Sequence, residues 1–234
     1  MHFPQPLLPG VLIRLYQRFL AEVRLPDGSV ITAHCPNSGS MKGCDHPGRE
    51  VRLSPAENPK RKTRFTWEMI HLPSTWVGIN TLNANRLLAE AATLGVVPEF
   101  GPFDRLTREV SLGDSRIDFG LVRDDTVFFV EVKNVTLVEN GTALFPDAPT
   151  LRGRKHLRAL MDAVRGGHRG AIFYVIQRQD AVRFAPASAI DPLYAQTLRQ
   201  ARDAGVEMIA YRARVNPEEI ALEVALPVEL ETNR

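Results

Sequence analysis

The sequence predicts an all-β N-terminal part followed by an α/β domain built on a central mixed sheet. Three observations lead there. Over about the first eighty residues, short extended runs alternate with turn residues and no long helical period appears. From Asn80 onward the order becomes α-β-β-β-α-β-α-β, which fits a central sheet with helices on both faces. Within that stretch Ala171 to Ile176 is continuously apolar, as expected of a strand buried on both sides.

Taken in order, the expected N-terminal strands are Val11 to Tyr16, Phe19 to Leu25, Val30 to Ala33, Val51 to Leu53 and Thr66 to Leu72. Pro26 to Gly28, Asn37 to Ser40 and Asp45 to Gly48 supply turn chemistry between them. Such spacing suggests a small barrel or sandwich, and a five-stranded OB-type barrel is one solution of the right size. Asn83 to Leu94 is expected to be a helix, with Leu87, Leu88, Ala91 and Leu94 on one stripe and Gly95 as its stop. Strands follow at Leu106 to Leu112, Arg116 to Val122 and Thr126 to Val132, the last two joined by the polar turn Arg123 to Asp125. Thr150 can cap a second helix whose Leu157, Leu160, Met161 and Val164 share a face, ended by Gly166 and Gly167. After the 171–176 strand, Asp191 and Pro192 open a helix to Ala204 that Gly205 stops. Val206 to Tyr211 is the last expected strand, and Asn216 to Arg234 a less regular tail.

The chain has 234 residues, 44% hydrophobic and 24% charged, an ordinary globular balance. A net charge of +2 says little about nucleic acid, so the distribution of charge has to carry that argument. There is no apolar run of about 18 residues, so no membrane span or membrane partner is expected. No export signal is visible, and two cysteines fit a reducing compartment better than a disulfide framework, so a cytoplasmic setting is expected. His34, Cys35, Cys44 and His46 are nominal zinc ligands, but their spacing does not match the common arrangements, and free thiols are expected instead.

The most informative feature is Asp118 followed, after one turn, by Glu131-Val132-Lys133. A strand puts residues i and i+2 on one face, so Glu131 and Lys133 point the same way. The run from Thr126 to Lys133 is β-branched and aromatic and reads as a buried strand. Charges buried at its end need partners or a metal. A hairpin would bring Asp118 beside Glu131, and the two acids with the lysine would hold a divalent cation and steady a phosphate. Mg²⁺ (or Mn²⁺) is the expected cofactor, with the Val132 carbonyl as a further oxygen and Glu90, on the preceding helix, as a third acid or a solvated glutamate. Asp118, Glu131 and Lys133 are the expected catalytic residues for phosphodiester hydrolysis.

Candidate nucleic-acid contacts surround this set. The second helix opens with Arg152, Arg154 and Lys155, which suit phosphates at a helix start or simply form a solvated face. Lys60, Arg61, Lys62, Arg64 and Trp67 interleave charge with rings, as a single-strand surface needs, although Trp67 can equally fill the barrel core. Gln177 and Arg178 leave the buried 171–176 strand at its polar end and can line the cleft or simply form a generic strand-end polar pair, and Arg116 lies two residues before the first acid.

Together these stretches resemble the sugar fermentation stimulation protein family, called SfsA. The resemblance is carried by His34 to Met41 with Gly43 and Cys44, and by Lys60 to Lys62 with Thr66 to Glu68. It continues through Ser115 to Phe119, Val130 to Asn134, and Phe145 to Thr150 with Arg152, Gly153 and Lys155 to Leu157. It implies an OB-like nucleic-acid-binding domain over residues 1–80 and a restriction-endonuclease-like domain over 81–234, similar to PD-(D/E)xK nucleases. It also implies a DNA-binding protein, on single- or double-stranded DNA, linked to regulation of sugar (maltose) metabolism. RNA as a substrate, a homodimer, and a regulator without cleavage all stay open. The nuclease pattern falls on Asp118, Glu131 and Lys133, with Glu90 as the helix acid found in some such nucleases. Ile117 stands where that pattern has its proline.

Overall fold

The structure, a computed structural model, describes residues 1–56, 58 and 60–230. Its first half is a sheet of six strands: β1 (Leu8–Tyr16), β2 (Leu20–Arg24), β3 (Val30–His34), β4 (Glu50–Pro55), β5 (Phe65–Leu72) and β6 (Thr75–Gly78). The strand order is β3-β2-β1-β4-β5-β6, and a parallel pairing of Ala33 with Phe65 and His34 with Thr66 closes the first five into a barrel. Closure removes the free edges that an open sheet would present. Leu12, Val23, Leu53, Trp67 and Ile70 fill the interior. Trp67 is fully buried, and its indole N–H donates to the Met69 carbonyl at 3.0 Å. This corrects its expected place on a base-stacking surface: the strand alternation turns Trp67 inward, and the N–H finds its partner two residues on along the backbone.

The second half begins with α1 (Leu82–Thr93) and a 3-10 turn at Pro98–Phe100, then β7 (Arg105–Leu112), β8 (Ser115–Arg123) and β9 (Thr126–Val135). The short strands β10 (Leu137–Glu139) and β11 (Thr142–Phe145) precede α2 (Leu151–Arg165), β12 (Arg169–Ile176) and β13 (Arg183–Pro186). The last elements are α3 (Pro192–Asp203), β14 (Glu207–Val215) and β15 (Ile220–Ala225). The main sheet runs β15-β14-β12-β9-β8-β7, with β9, β12 and β14 parallel and the other pairs antiparallel. It is the mixed central sheet the sequence predicts. Leu87 and Leu88 of α1 cover one face over Phe119, Val130 and Phe173. Leu157 and Leu160 of α2 and Leu198 of α3 cover the other over Phe129 and Tyr174.

The caps act as expected. Thr150 accepts the Gly153 N–H at 3.0 Å and Asp191 the Tyr194 N–H at 2.9 Å, each cap stabilising its helix by about 1 kcal/mol. Gly95, at φ 69°, ends α1. Leu94 departs from its expected stripe: it follows the helix as its C-cap and is 71% exposed. The expected tail contains β15, paired with β14, and its residues 231–234 lie outside the described residues. A second sheet, β10-β11-β13, is an addition to the expected fold. Residues 1–7 are attached to the second half: Leu7 joins the α1 core, and His2 bridges to Glu219. Among the described residues, no helix is long and apolar enough to cross a membrane.

Candidate functional site

Strands β8 and β9 pair from Arg123–Thr126 up to Phe119–Val130 and then separate. The next residues on each strand are Asp118 and Glu131, so the two acids stand at the point where the ladder opens. There the Val132 N–H donates to Asp118 Oδ2 at 2.8 Å, a side chain taking the role a strand carbonyl would otherwise fill. Asp118 Oδ1 accepts from Asn85 Nδ2 of α1 at 3.0 Å, which fixes the carboxylate from the helix side.

Glu131 is 2% exposed. Its Oε1 accepts from Lys133 Nζ and from His156 Nδ1, the latter on the first turns of α2. His156 Nε2 accepts from Arg152 Nε at 3.4 Å, so the neutral tautomer carries its proton on Nδ1. The other oxygen, Glu131 Oε2, is buried with no hydrogen-bond partner. Such an orphaned carboxylate oxygen is costly, on the order of a few kcal/mol, unless something binds it.

The environment separates the two acids electrically. Burial, then the negative charge of Glu131, raises the Asp118 carboxyl above the ordinary aspartate range. For Glu131 burial is also the largest influence and pushes upward. The His156 hydrogen bond, the Lys133 charge and the further interactions with both partners together outweigh it and hold the carboxyl below the usual glutamate range.

These groups lie in a cleft of about 470 Å³ between the halves of the molecule. Its floor is Asp118 and residues 131–137. Residues 144–150 with Arg152 form one wall, and Arg18 with residues 37–39 of the barrel form the other. Asp118, Glu131, Lys133 and Arg152 are thus the sequence-predicted residues that share this cleft.

The remaining candidates lie elsewhere. Glu90 lines a different cavity, with Glu68 and Arg86. At 3.6 residues per turn it sits about 140° around α1 from Asn85, which is the residue that reaches Asp118. Gln177 is fully buried, and its Nε2 donates to the Asn80 carbonyl at 3.1 Å, so it joins the two halves instead of lining the cleft. Arg154 is committed to Asp191 at 2.8 Å. Arg61 folds back on its own loop, donating to the carbonyls of Thr63 and Phe65. Lys60, Lys62 and Arg64 are exposed on the barrel, and Arg116 is exposed beside Glu109. Lys155 donates to the Asp114 carbonyl at 2.6 Å. None of these five lines the cleft.

Sequence reasoning missed Asn85, His156 and the barrel wall. Asn85 and His156 each lie on a helix facing a strand distant in sequence, and no local spacing marks them. His156 had one signal: a histidine on the same face as the apolar stripe of α2.

Two family models match the chain. "SfsA N-terminal OB domain" matches residues 13–79, and "Sugar fermentation stimulation protein RE domain" matches residues 82–219. The chain is similar to a sugar fermentation stimulation protein homolog of Geobacter sulfurreducens, 58% identical over 97% of this chain and 98% of that one. It is 56% identical to the homolog of Geobacter metallireducens, over 98% and 100% of the two chains. Among solved structures it resembles Pyrococcus furiosus SfsA, described as a complex with Ca²⁺. The TM-score is 0.90 and the identity 28%, with 98% of both chains covered.

Proposed function

We propose that this chain, which belongs to the sugar fermentation stimulation protein family, is a DNA-binding protein with a divalent-metal-dependent nuclease site at Asp118, Glu131 and Lys133. One observation carries the reading: Glu131 Oε2 is buried without a partner beside a second carboxylate, at the floor of an open cleft. A hard divalent cation answers that unmet demand. The Pyrococcus furiosus protein, solved with Ca²⁺, is consistent with oxygen-ligand chemistry of this kind.

Asp118 and Glu131 would hold Mg²⁺ or Mn²⁺. Such an ion, when bound, supplies Lewis-acid polarisation of a phosphate and acidifies water. The other tasks belong to the chain. The Val132 N–H and Asn85 orient Asp118, while His156 orients Glu131 and leaves its Oε2 open. Lys133, 12% exposed, carries a cation at the cleft floor where phosphate charge would develop. Arg152, at the opening of α2, adds a phosphate contact on the cleft wall.

A second reading, a DNA-binding regulator of sugar-fermentation genes that does not cut, has its own support. Among the described residues, Asp118 and Glu131 belong to no group of three or more His, Cys, Asp or Glu side chains placed to hold a metal ion together. The two readings separate in one assay. Purified protein is incubated with labelled DNA and RNA in Mg²⁺, Mn²⁺ or EDTA, beside Asp118→Asn and Lys133→Ala. Metal-dependent cutting by the wild type, lost in both variants, supports the nuclease. Equal DNA binding by all three proteins with no cutting supports the regulator.

A further inference from the structure

The walls of the cleft come from opposite halves of the molecule, and they are tied together. The backbone N–H and Oγ of Ser40 both donate to Asp147 Oδ2, at 2.7 and 3.1 Å, and Lys42 Nζ meets Glu139 at 3.0 Å. The contact is close: a Cβ on Gly39 would lie 2.5 Å from Asp147 Oδ2. The cleft between these walls, about 470 Å³, has the volume of a small-ligand pocket, typically ~300–1,000 Å³. It has room for one or two nucleotides of a strand. Enzymes with so confined a site act on a strand already unpaired or extrude the target nucleotide.

The barrel wall has the chemistry to hold a strand. Arg18 lies in the β1–β2 turn, and both it and Gln17 have positive φ (67° and 46°). Tight hairpin turns of this kind favour Asn and Gly, so holding an arginine there carries a conformational cost. The Arg18 guanidinium donates to the Ser38 carbonyl at 3.0 Å and lies 5.7 Å from the ring centroid of Phe19, which is 39% exposed. A cation beside an exposed ring pairs a backbone contact with a stacking platform. Arg152 provides the matching cation on the opposite wall.

We infer that the cleft takes a single nucleic-acid strand, unpaired at the scissile phosphate, with Arg18 and Arg152 holding phosphates on its two walls and Phe19, beside Arg18 and outside the cleft lining, stacking a base. The inference rests on the nuclease reading of the site and specifies its substrate class.

The test measures binding and not cutting, so that the two can fail separately. The full chain is titrated in EDTA into fluorescent oligonucleotides of one sequence, as single strand and as blunt duplex, in DNA and in RNA, at several salt concentrations. A single strand of DNA or RNA should bind about tenfold or more tighter than its own blunt duplex. Arg18→Ala and Arg152→Ala should each weaken single-strand binding roughly three- to tenfold and lower the salt slope by about 1. Arg18→Lys should keep most of that slope. Because Arg18 is on an exposed turn, its loss does not threaten the fold. Duplexes binding as tightly as single strands in both sugars, or an Arg18→Ala protein with unchanged affinity and slope, would overturn the inference. A wild type that prefers single strands and never cuts would overturn the nuclease reading alone.

Discussion

Glu131 receives two donors on one oxygen and none on the other, and this asymmetry organises the site. His156 is the donor least replaceable by solvent, since it is 4% exposed and comes from another element. His156→Ala should raise the Mg²⁺ concentration needed for half-maximal cutting by about 10- to 100-fold, the usual effect of losing a group that orients a metal ligand. His156→Asn, which keeps a donor, should recover part of it. A further outcome follows from the opposite displacement of the two acids. Carboxyl-carbon NMR of the metal-free protein should find Asp118 titrating above the ordinary aspartate range and Glu131 below the glutamate range. The sign for stability follows. The Glu131 contribution is present above its unfolded value and lost as pH falls through its depressed folded value. That of Asp118 is present at low pH and lost as pH rises through its raised folded value. The cysteines behave as core residues: burial pushes both Cys35 and Cys44 up to about 11. Thiol reagents at neutral pH should label them only after unfolding.

At the scale of elements, α3 is fastened to the sheet by a buried hydroxyl pair, Tyr174 of β12 and Tyr194 of α3, at 2.7 Å. Tyr194→Phe should cost about 1–3 kcal/mol by urea denaturation, because the Tyr174 hydroxyl is left buried and unpaired. Phe at both positions should be nearer neutral. Elements with a sustained period were legible from sequence: α1, α2, α3, β8, β9 and β12 stand where their patterns put them. β6, β10, β11 and β13 were not, since three or four residues carry no measurable period and their pairing is decided by distant partners. The same limit applies to the site. Asp118, Glu131 and Lys133 were readable because a strand's two-residue alternation and a single turn bring them together. Asn85, His156 and Arg18 depend on how α1, α2 and the barrel pack around that hairpin. Glu90 was misplaced because its position on α1 is set by which helical face meets the sheet.

Across the whole molecule, barrel and α/β half are locked as well as linked. The Gly78 N–H donates to the Gln177 carbonyl at 2.9 Å, and Val77 of β6 forms an antiparallel β-bridge with Arg178. A Cβ on Gly78 would collide with Gln177 Oε1 and lie 3.2 Å from its Cβ, and Gln177 has no exposed surface into which to move. Gly78→Ala should therefore destabilise the protein by about 1–3 kcal/mol in thermal or denaturant unfolding. Nothing in the sequence marks Gln177 as an interface residue, because a polar residue at a strand end suits a cleft equally well. The interface sets the barrel wall against the acids.

The most direct measurement is a calorimetric titration of Mn²⁺ into the purified metal-free chain, beside Glu131→Gln and Asp118→Asn. The expected result is saturable binding by the wild type that weakens at least tenfold in each variant, with release of protons at mildly acidic pH as the raised Asp118 carboxyl ionises. Wild-type protein that binds no Mn²⁺, or that binds it as tightly once Glu131 is changed, would contradict a metal site between the separating ends of β8 and β9.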